Sequence, residues 1–394
     1  MTSTLSTPQT DALLGVYKKP PVEFVRGAGV ELFDAEGKAY LDFVAGIAVN
    51  ALGYGDAGLT QAMRDAMESG LVHTSNLYRT SPGERLADKL VQRTFADRVF
   101  FSNSGAEANE GAFKIARRWA RTMGGASKHE IIALRGGFHG RLFGTLAATD
   151  RPSYRAPFRP LAGGISIVER DLEELDAALN PETVAAVIAE PVQGEGGVRV
   201  LDREFLRALR EMTKARGIAL ILDEIQCGYG RTGTFLAHEQ AGIEPDLLTV
   251  AKPMAGGLPM GAILATKAVA DPMQPGDHGT TFGGGPFVAS VALHVFDRLS
   301  DAAMLRHVTE QGAWLGDALQ QLATHHVKVR AVRGTGLMWG IDIVDPAKDV
   351  IARAMELGLL VCSAGEHTLR LLPPLVATRA DLERGLGLLT QAIG

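Results

Sequence analysis

Short apolar runs alternate with stretches of helical periodicity through the middle of this chain, and that alternation restricts the fold more than any other feature. Such runs fit strands buried on both faces, and the amphipathic stretches between them fit helices covering those faces. The pattern predicts an α/β unit built of βα repeats around a mostly parallel sheet. The candidate strands are 98–101, Glu130–Leu134, Val184–Ala189, 219–222 and 247–251. In open sheets of this kind ligands bind beyond the carboxyl ends of the strands, so the residues that follow each run are the candidates for chemistry.

One helix is legible in detail. Ala108, Ala112, Ile115, Ala116 and Trp119 recur at helical spacing, with Lys114, Arg117, Arg118 and Arg121 largely between them. Ser104, followed three residues later by Glu107, has the S-x-x-E form of a capping box. That start puts Gly105 and Ala106 in the first turn, where backbone N–H groups lack helical partners. The first 45 or so residues, with turns at 27–29 and 34–37, read as short strands. From about Thr281 helical patterns mix with short strands at 336–341 and 369–372. Both ends are expected to build a smaller α+β domain, which divides the chain into 1–50, 51–280 and 281–394.

Composition excludes several functions. The 394 residues carry a formal charge of -5 and no Lys/Arg run, which argues against nucleic acid or anionic membrane as a partner. Cys227 and Cys362 have neither CxxC spacing nor the number for a disulfide framework, which fits a reducing compartment. The start, MTSTLSTPQTDALLGVYKK, lacks the form of a signal peptide, and no apolar run is long enough to span a bilayer, so a soluble cytoplasmic protein is expected. The histidines, including His325 and His326, show no metal-ligand spacing, and no metal site is expected.

The chemistry is concentrated at strand ends. The run 219–222 leads directly into Asp223 and Glu224, and the run 247–251 leads into Lys252, followed by Pro253 and the flexible pair Gly256 and Gly257. An acid and a lysine thus leave one edge of one sheet. A lysine desolvated there has a lowered pKa and attacks carbonyls. Taken singly, Asp223 and Lys252 are explained as an ion pair or as exposed strand ends, and Ser104 as an ordinary helix cap. Taken together, a lysine for an aldehyde, an acid for a ring nitrogen and a helix N-terminus at 104–106 for a phosphate describe the needs of pyridoxal 5'-phosphate. Phe138, just past another strand, is placed to stack on the ring.

Seven ordered segments then resemble one family. NSGAEANE at 103–110, FHGR at 138–141, EPVQGEGG at 190–197, LDEIQCGYGRTG at 222–233, LTVAKPMAGGLPMGA at 248–262, HGTTFGGG at 278–285 and LRLLPPL at 369–375 are similar to the class III (subgroup II) aminotransferases. The nearest likeness is to those acting on acetylornithine and ornithine, and it runs from about Tyr17 nearly to the C-terminus.

The resemblance implies a fold type I transferase and transfer of the terminal amino group of N2-acetyl-L-ornithine to 2-oxoglutarate, ping-pong, in arginine biosynthesis. It implies that Lys252 carries the cofactor and moves the proton, that Asp223 keeps the ring nitrogen protonated, and that Gln226 bonds the ring hydroxyl. Phe138 would stack, Glu190 would lie in the polar shell, and Ser104, Gly105 and Ala106 would hold the phosphate. Thr281 would reach the phosphate of a neighbouring subunit, which implies a homodimer with shared active sites. Arg141 and Arg370 would bind substrate carboxylates, Glu195 would pair with Arg370 until the dicarboxylate arrives, and Tyr17 would touch substrate.

The chain departs from the family at three places. His-Pro is missing after 50–53, Cys227-Gly228-Tyr229 replaces Thr-Gly-Met, and Gly285 replaces Asn; Tyr229 and Gly285 are expected to bear on the substrate entrance. Other ω-amines, namely ornithine, succinylornithine, 4-aminobutyrate or a carrier-linked lysine of lysine biosynthesis, need nearly the same cofactor residues. A cofactor-binding protein without transfer, or an epimerase or decarboxylase on the same scaffold, is a further reading, against which Arg141, Glu195 and Arg370 speak. Residues 228–233 also match GxGxxG, the mark of a nicotinamide dehydrogenase, but Asp223 to Cys227 separate the first glycine from the strand.

Overall fold

A computed structural model describes residues 12–394; the first eleven residues of the segment read above for a signal peptide lie outside them. A seven-stranded sheet forms the centre, in the spatial order Arg98–Ser102, Gly261–Ala265, Leu247–Val250, Ala219–Asp223, Val184–Ala189, Glu130–Leu134 and Ile165–Val168. Val184–Ala189 and Ala219–Asp223 are buried at every residue, which is why their sequences run apolar without alternation. Each fully buried Leu or Ile there contributes roughly 1.5–3 kcal/mol relative to exposure.

Two of the seven strands escaped the sequence pattern. Ile165–Val168 sits at the edge of the sheet, and Gly261–Ala265 lies antiparallel between Leu247–Val250 and Arg98–Ser102. Ala262 and Ala265 give Gly261–Ala265 too little bulk to stand out as a strand. Its insertion has a geometric result. Two antiparallel pairings in succession leave Arg98–Ser102 pointing the same way as the parallel strands. The carboxyl ends of Arg98–Ser102, Glu130–Leu134, Val184–Ala189, Ala219–Asp223 and Leu247–Val250 therefore share one edge.

The helix Gly105–Gly124 packs across this sheet through Ala108, Ala112, Phe113, Ile115, Ala116 and Ala120. It ends at Gly125, whose φ of 64° only glycine adopts readily. The capping box is half of what the spacing predicted. Ser104 Oγ accepts from the Glu107 N–H at 3.2 Å, but the Glu107 carboxylate returns to the backbone and side-chain amides of Asn103, not to Ser104. Asn103 offers two donors to one carboxylate oxygen, and that bidentate arrangement wins.

The two ends of the chain meet. Strand Ala39–Asp42 pairs in parallel with Leu359–Leu360, and a second sheet joins Val329–Thr335, Met338–Ile343, Thr368–Leu371 and Cys362–Ser363. One buried apolar cluster runs from Leu41 and Phe43 through the central strands to Leu369 and Leu389. That continuity seats strand Thr368–Leu371, and with it Arg370, against the edge of the central sheet.

Candidate active site

A cavity of about 410 Å³ opens at that shared edge, lined among others by Ser104, Gly105, Ala106, Phe138, Arg141, Glu190, Glu195, Asp223, Gln226 and Lys252. They lie at or just beyond the carboxyl ends of five strands, the topology alone bringing them together.

Lys252 opens a short 3₁₀ turn, Lys252–Ala255, directly after strand Leu247–Val250 and Ala251. Its φ of 33° is a left-handed conformation in a non-glycine residue, a strain of order 1–3 kcal/mol that surrounding packing must hold. Among the described residues the Lys252 amine has no hydrogen-bond partner. Burial lowers its pKa, opposed by the Asp223 carboxylate, so the neutral, nucleophilic form is favoured relative to an exposed lysine.

Asp223 is buried and held on several sides. Its Oδ2 accepts from Asn109 Nδ2 at 2.8 Å and lies 2.8 Å from His139 Nδ1, while its Oδ1 accepts from the Ile225 N–H at 3.1 Å. Asn109 is itself pinned, donating to the His139 carbonyl and accepting from Thr249 Oγ1, both at 2.8 Å. Asn109, His139 and Thr249 received no role from the sequence. All three fall inside segments singled out above, and Asn109 sits on the sheet-facing side of its helix, where a buried amide demands partners.

Glu190 follows strand Val184–Ala189, and its carboxylate accepts from the N–H groups of Phe138 at 2.8 Å and Gly194 at 3.2 Å. Burial, with the nearby Asp223 charge, pushes its pKa up to about 7. Gly194 is required by close approach, because a Cβ there would collide with Gln226 Oε1. Gly105 likewise admits Ile225, which a Cβ would meet at 2.7 Å.

Arg370 is buried, and its guanidinium edge is filled. It pairs with Glu195 Oε1 at 2.6 Å, donates to Gln226 Oε1 at 3.1 Å and to the Ser363 carbonyl at 3.4 Å, and points Nε at Cys362 Sγ, 3.4 Å away. Arg141 is the opposite case: exposed at the cavity wall, its guanidinium lies 3.7 Å from the Tyr154 ring centre and 5.8 Å from that of Phe138.

Other expectations fall elsewhere. Tyr17 is 87% exposed and Thr281 is exposed, and neither lines the cavity. Thr280, next to Thr281, accepts from Asn103 Nδ2 at 3.0 Å. Tyr229 does not face a substrate entrance; it is buried, with φ 52°, and packs on Phe235. Gly285 is the N-cap of helix Pro286–Leu299 and provides no side-chain cap, so its departure bears on that helix start. Residues 228–233 form buried turns leading to a 3₁₀ segment at Ala237–Ala241, without the strand–turn–helix that a dinucleotide needs.

Among the described residues no helix is long and apolar enough to cross a membrane, and no cluster of His, Cys, Asp and Glu is arranged to hold a metal.

Known proteins resemble this chain in sequence and in fold. The model of the class-III aminotransferase family matches residues 15–393. The mitochondrial acetylornithine aminotransferase of Alnus glutinosa is 42% identical over 97% of this chain and 85% of its own length. The acetylornithine aminotransferase of Methanocaldococcus jannaschii is 42% identical over 94% of this chain and 93% of its own. Among solved structures, the N-acetylornithine aminotransferase of Stenotrophomonas maltophilia superposes with a TM-score of 0.84 at 36% identity, covering 96% of each chain. The ornithine aminotransferase of Toxoplasma gondii superposes with a TM-score of 0.92 at 29% identity, covering 97% of this chain and 92% of its own. With the family model spanning almost the whole sequence, the chain belongs to the class-III aminotransferases and has their α/β fold, built on a mostly parallel central sheet.

Proposed function

We propose that this aminotransferase moves the terminal amino group of N2-acetyl-L-ornithine to 2-oxoglutarate, giving N-acetylglutamate 5-semialdehyde and glutamate, and that it uses pyridoxal 5'-phosphate. The observation that carries the proposal is the Lys252 amine, without a hydrogen-bond partner among the described residues, and a buried, clamped carboxylate, Asp223, on one cavity with Arg141, while Arg370 lies behind Glu195 and Gln226 of its lining. The likeness to acetylornithine aminotransferases of 42% identity supports the donor.

The residues fit the cofactor. The helix at Gly105 and Ala106 leaves backbone N–H groups without helical acceptors beside Ser104, a site suited to phosphate. Asp223, oriented by Asn109 and His139, suits a protonated ring nitrogen, Phe138 a stacked ring, and Gln226 a ring hydroxyl. When bound, the cofactor supplies an aldehyde for exchange of amines and a ring that takes up electrons from the donor carbon.

The chain's own residues do the rest. Lys252 Nζ, kept toward the neutral amine by burial, is the nucleophile and then the base that moves the proton at the donor's reacting carbon. Arg141 receives the donor's carboxylate through its open edge. Glu195 covers Arg370 while the monocarboxylate donor is bound and yields it to 2-oxoglutarate, which lets one cavity serve both partners of a ping-pong reaction. Thr281 acts across a homodimer, in a cytoplasmic enzyme of arginine biosynthesis.

The test is the visible spectrum of the purified protein loaded with pyridoxal phosphate. Absorption of the lysine-bound cofactor should fall on adding N2-acetylornithine and return with 2-oxoglutarate. A spectrum indifferent to acetylornithine but responsive to another ω-amine rejects the donor, and no lysine-bound absorption rejects the cofactor.

A further inference from the structure

We propose that Tyr154 is a positioning residue that determines recognition of the amino donor by holding Arg141 through its face; the inference rests on the donor reading above. The Arg141 guanidinium lies 3.7 Å from the centre of the Tyr154 ring. Among the described residues it has no carboxylate, carbonyl or hydroxyl partner. A planar guanidinium has two ways of being held. Acceptors bind its edge and consume its N–H donors, whereas an aromatic ring binds its face and leaves all five donors free. Arg370 is held in the first way, with Glu195, Gln226 and Ser363 on its edge. Arg141 is held in the second.

The difference has a chemical consequence. A face-held arginine keeps its charge unneutralised and its bidentate edge pointed at the cavity, ready for a carboxylate without an ion pair to break first. An edge-held arginine opens only when its glutamate leaves. Tyr154 lies on the four-residue helix Pro152–Arg155, and its N–H bonds the Arg151 carbonyl at 3.0 Å. Arg151 in turn donates through Nη2 to the Glu195 carbonyl. One short segment therefore touches Arg141 by stacking and, through a clamp on the Glu195 backbone, the glutamate that covers Arg370.

The experiment compares Tyr154→Leu and Tyr154→Phe in the cofactor-loaded enzyme. Tyr154→Leu should raise KM for N2-acetylornithine about fivefold, the size of a partly exposed cation–π contact, while KM for 2-oxoglutarate stays within about twofold. Tyr154→Phe should restore the donor KM, because the ring face and not the hydroxyl does the holding. Calorimetric binding of N2-acetyl-L-norvaline, which keeps the donor's carboxylate and lacks its reactive amine, should weaken by the same factor in Tyr154→Leu. Wild-type donor KM and norvaline affinity in Tyr154→Leu would overturn the proposal. So would equal losses for both substrates, which mark a general structural defect, or a Phe variant as poor as Leu. If the unaltered enzyme transfers nothing from N2-acetylornithine, the donor reading fails on its own, and the KM comparison is made with the ω-amino acid that is accepted.

Discussion

Asn109 Nδ2 lies 2.8 Å from Asp223 Oδ2, joining a helix residue and a strand-end carboxylate that are 114 positions apart in the chain. The same amide donates to the His139 carbonyl, and its oxygen accepts from Thr249, so the Asp223 carboxylate is oriented from behind by a network with little freedom to turn.

Breaking that network should separate orientation from packing. Asn109→Ala removes three buried hydrogen bonds and should cost about 2–4 kcal/mol of stability and lower kcat by about 10- to 100-fold. Thr249→Val, which removes one of them, should cost about 1 kcal/mol and change kcat less than about threefold. Thermal unfolding and steady-state rates measure both. Equal kcat in the two variants would show that Asp223 does not depend on Asn109.

Lys252→Ala should abolish transfer, lowering the rate by about 10⁴-fold or more, because nucleophile and proton carrier vanish together. The fold should persist to within about 1 kcal/mol, since the amine has no hydrogen-bond partner among the described residues to lose. Circular dichroism and the assay for glutamate report the two separately. Substantial remaining turnover would sink the assignment of Lys252.

Glu195→Gln removes the charge that covers Arg370. With the arginine no longer occupied, kcat/KM for 2-oxoglutarate should rise about tenfold, the equivalent of releasing a charged hydrogen bond. A value unchanged or lower would mean that Glu195 does not gate the site.

Glu190 should give the cofactor-free protein a pH-dependent stability term. Burial raises its pKa from 4.5 to about 7, so the folded state binds its proton more tightly than the unfolded state. Its contribution is complete below about pH 4.5 and is lost as pH rises through about 7. Glu190→Gln keeps a neutral group at the site and should flatten that part of the profile, measured as the difference in melting temperature between variant and parent from pH 5 to 8. A difference independent of pH would reject the raised pKa.

Much of the candidate site's lining was legible because strand ends are. The apolar runs before Asp223 and Lys252 mark buried parallel strands, and a parallel sheet delivers ligands to its carboxyl edge, so an acid and a lysine there could be read together. The helix start at Ser104 was equally local, although the return bond of Glu107 went to Asn103, a choice between neighbours that spacing does not rank. Strand Gly261–Ala265 was missed because small residues give a weak strand pattern.

What the sequence by itself determined is therefore what local periodicity encodes: the βα architecture, the strand ends and the residue types placed on them. Only the tertiary structure decided which side chains meet. Asn109 with Asp223 and Arg141 with Tyr154 are pairings set by sheet order and helix docking, whereas that of Glu195 with Arg370 was implied by the family resemblance and by no periodicity. They connect elements by packing, and no periodic pattern along one element records which face of another it will touch.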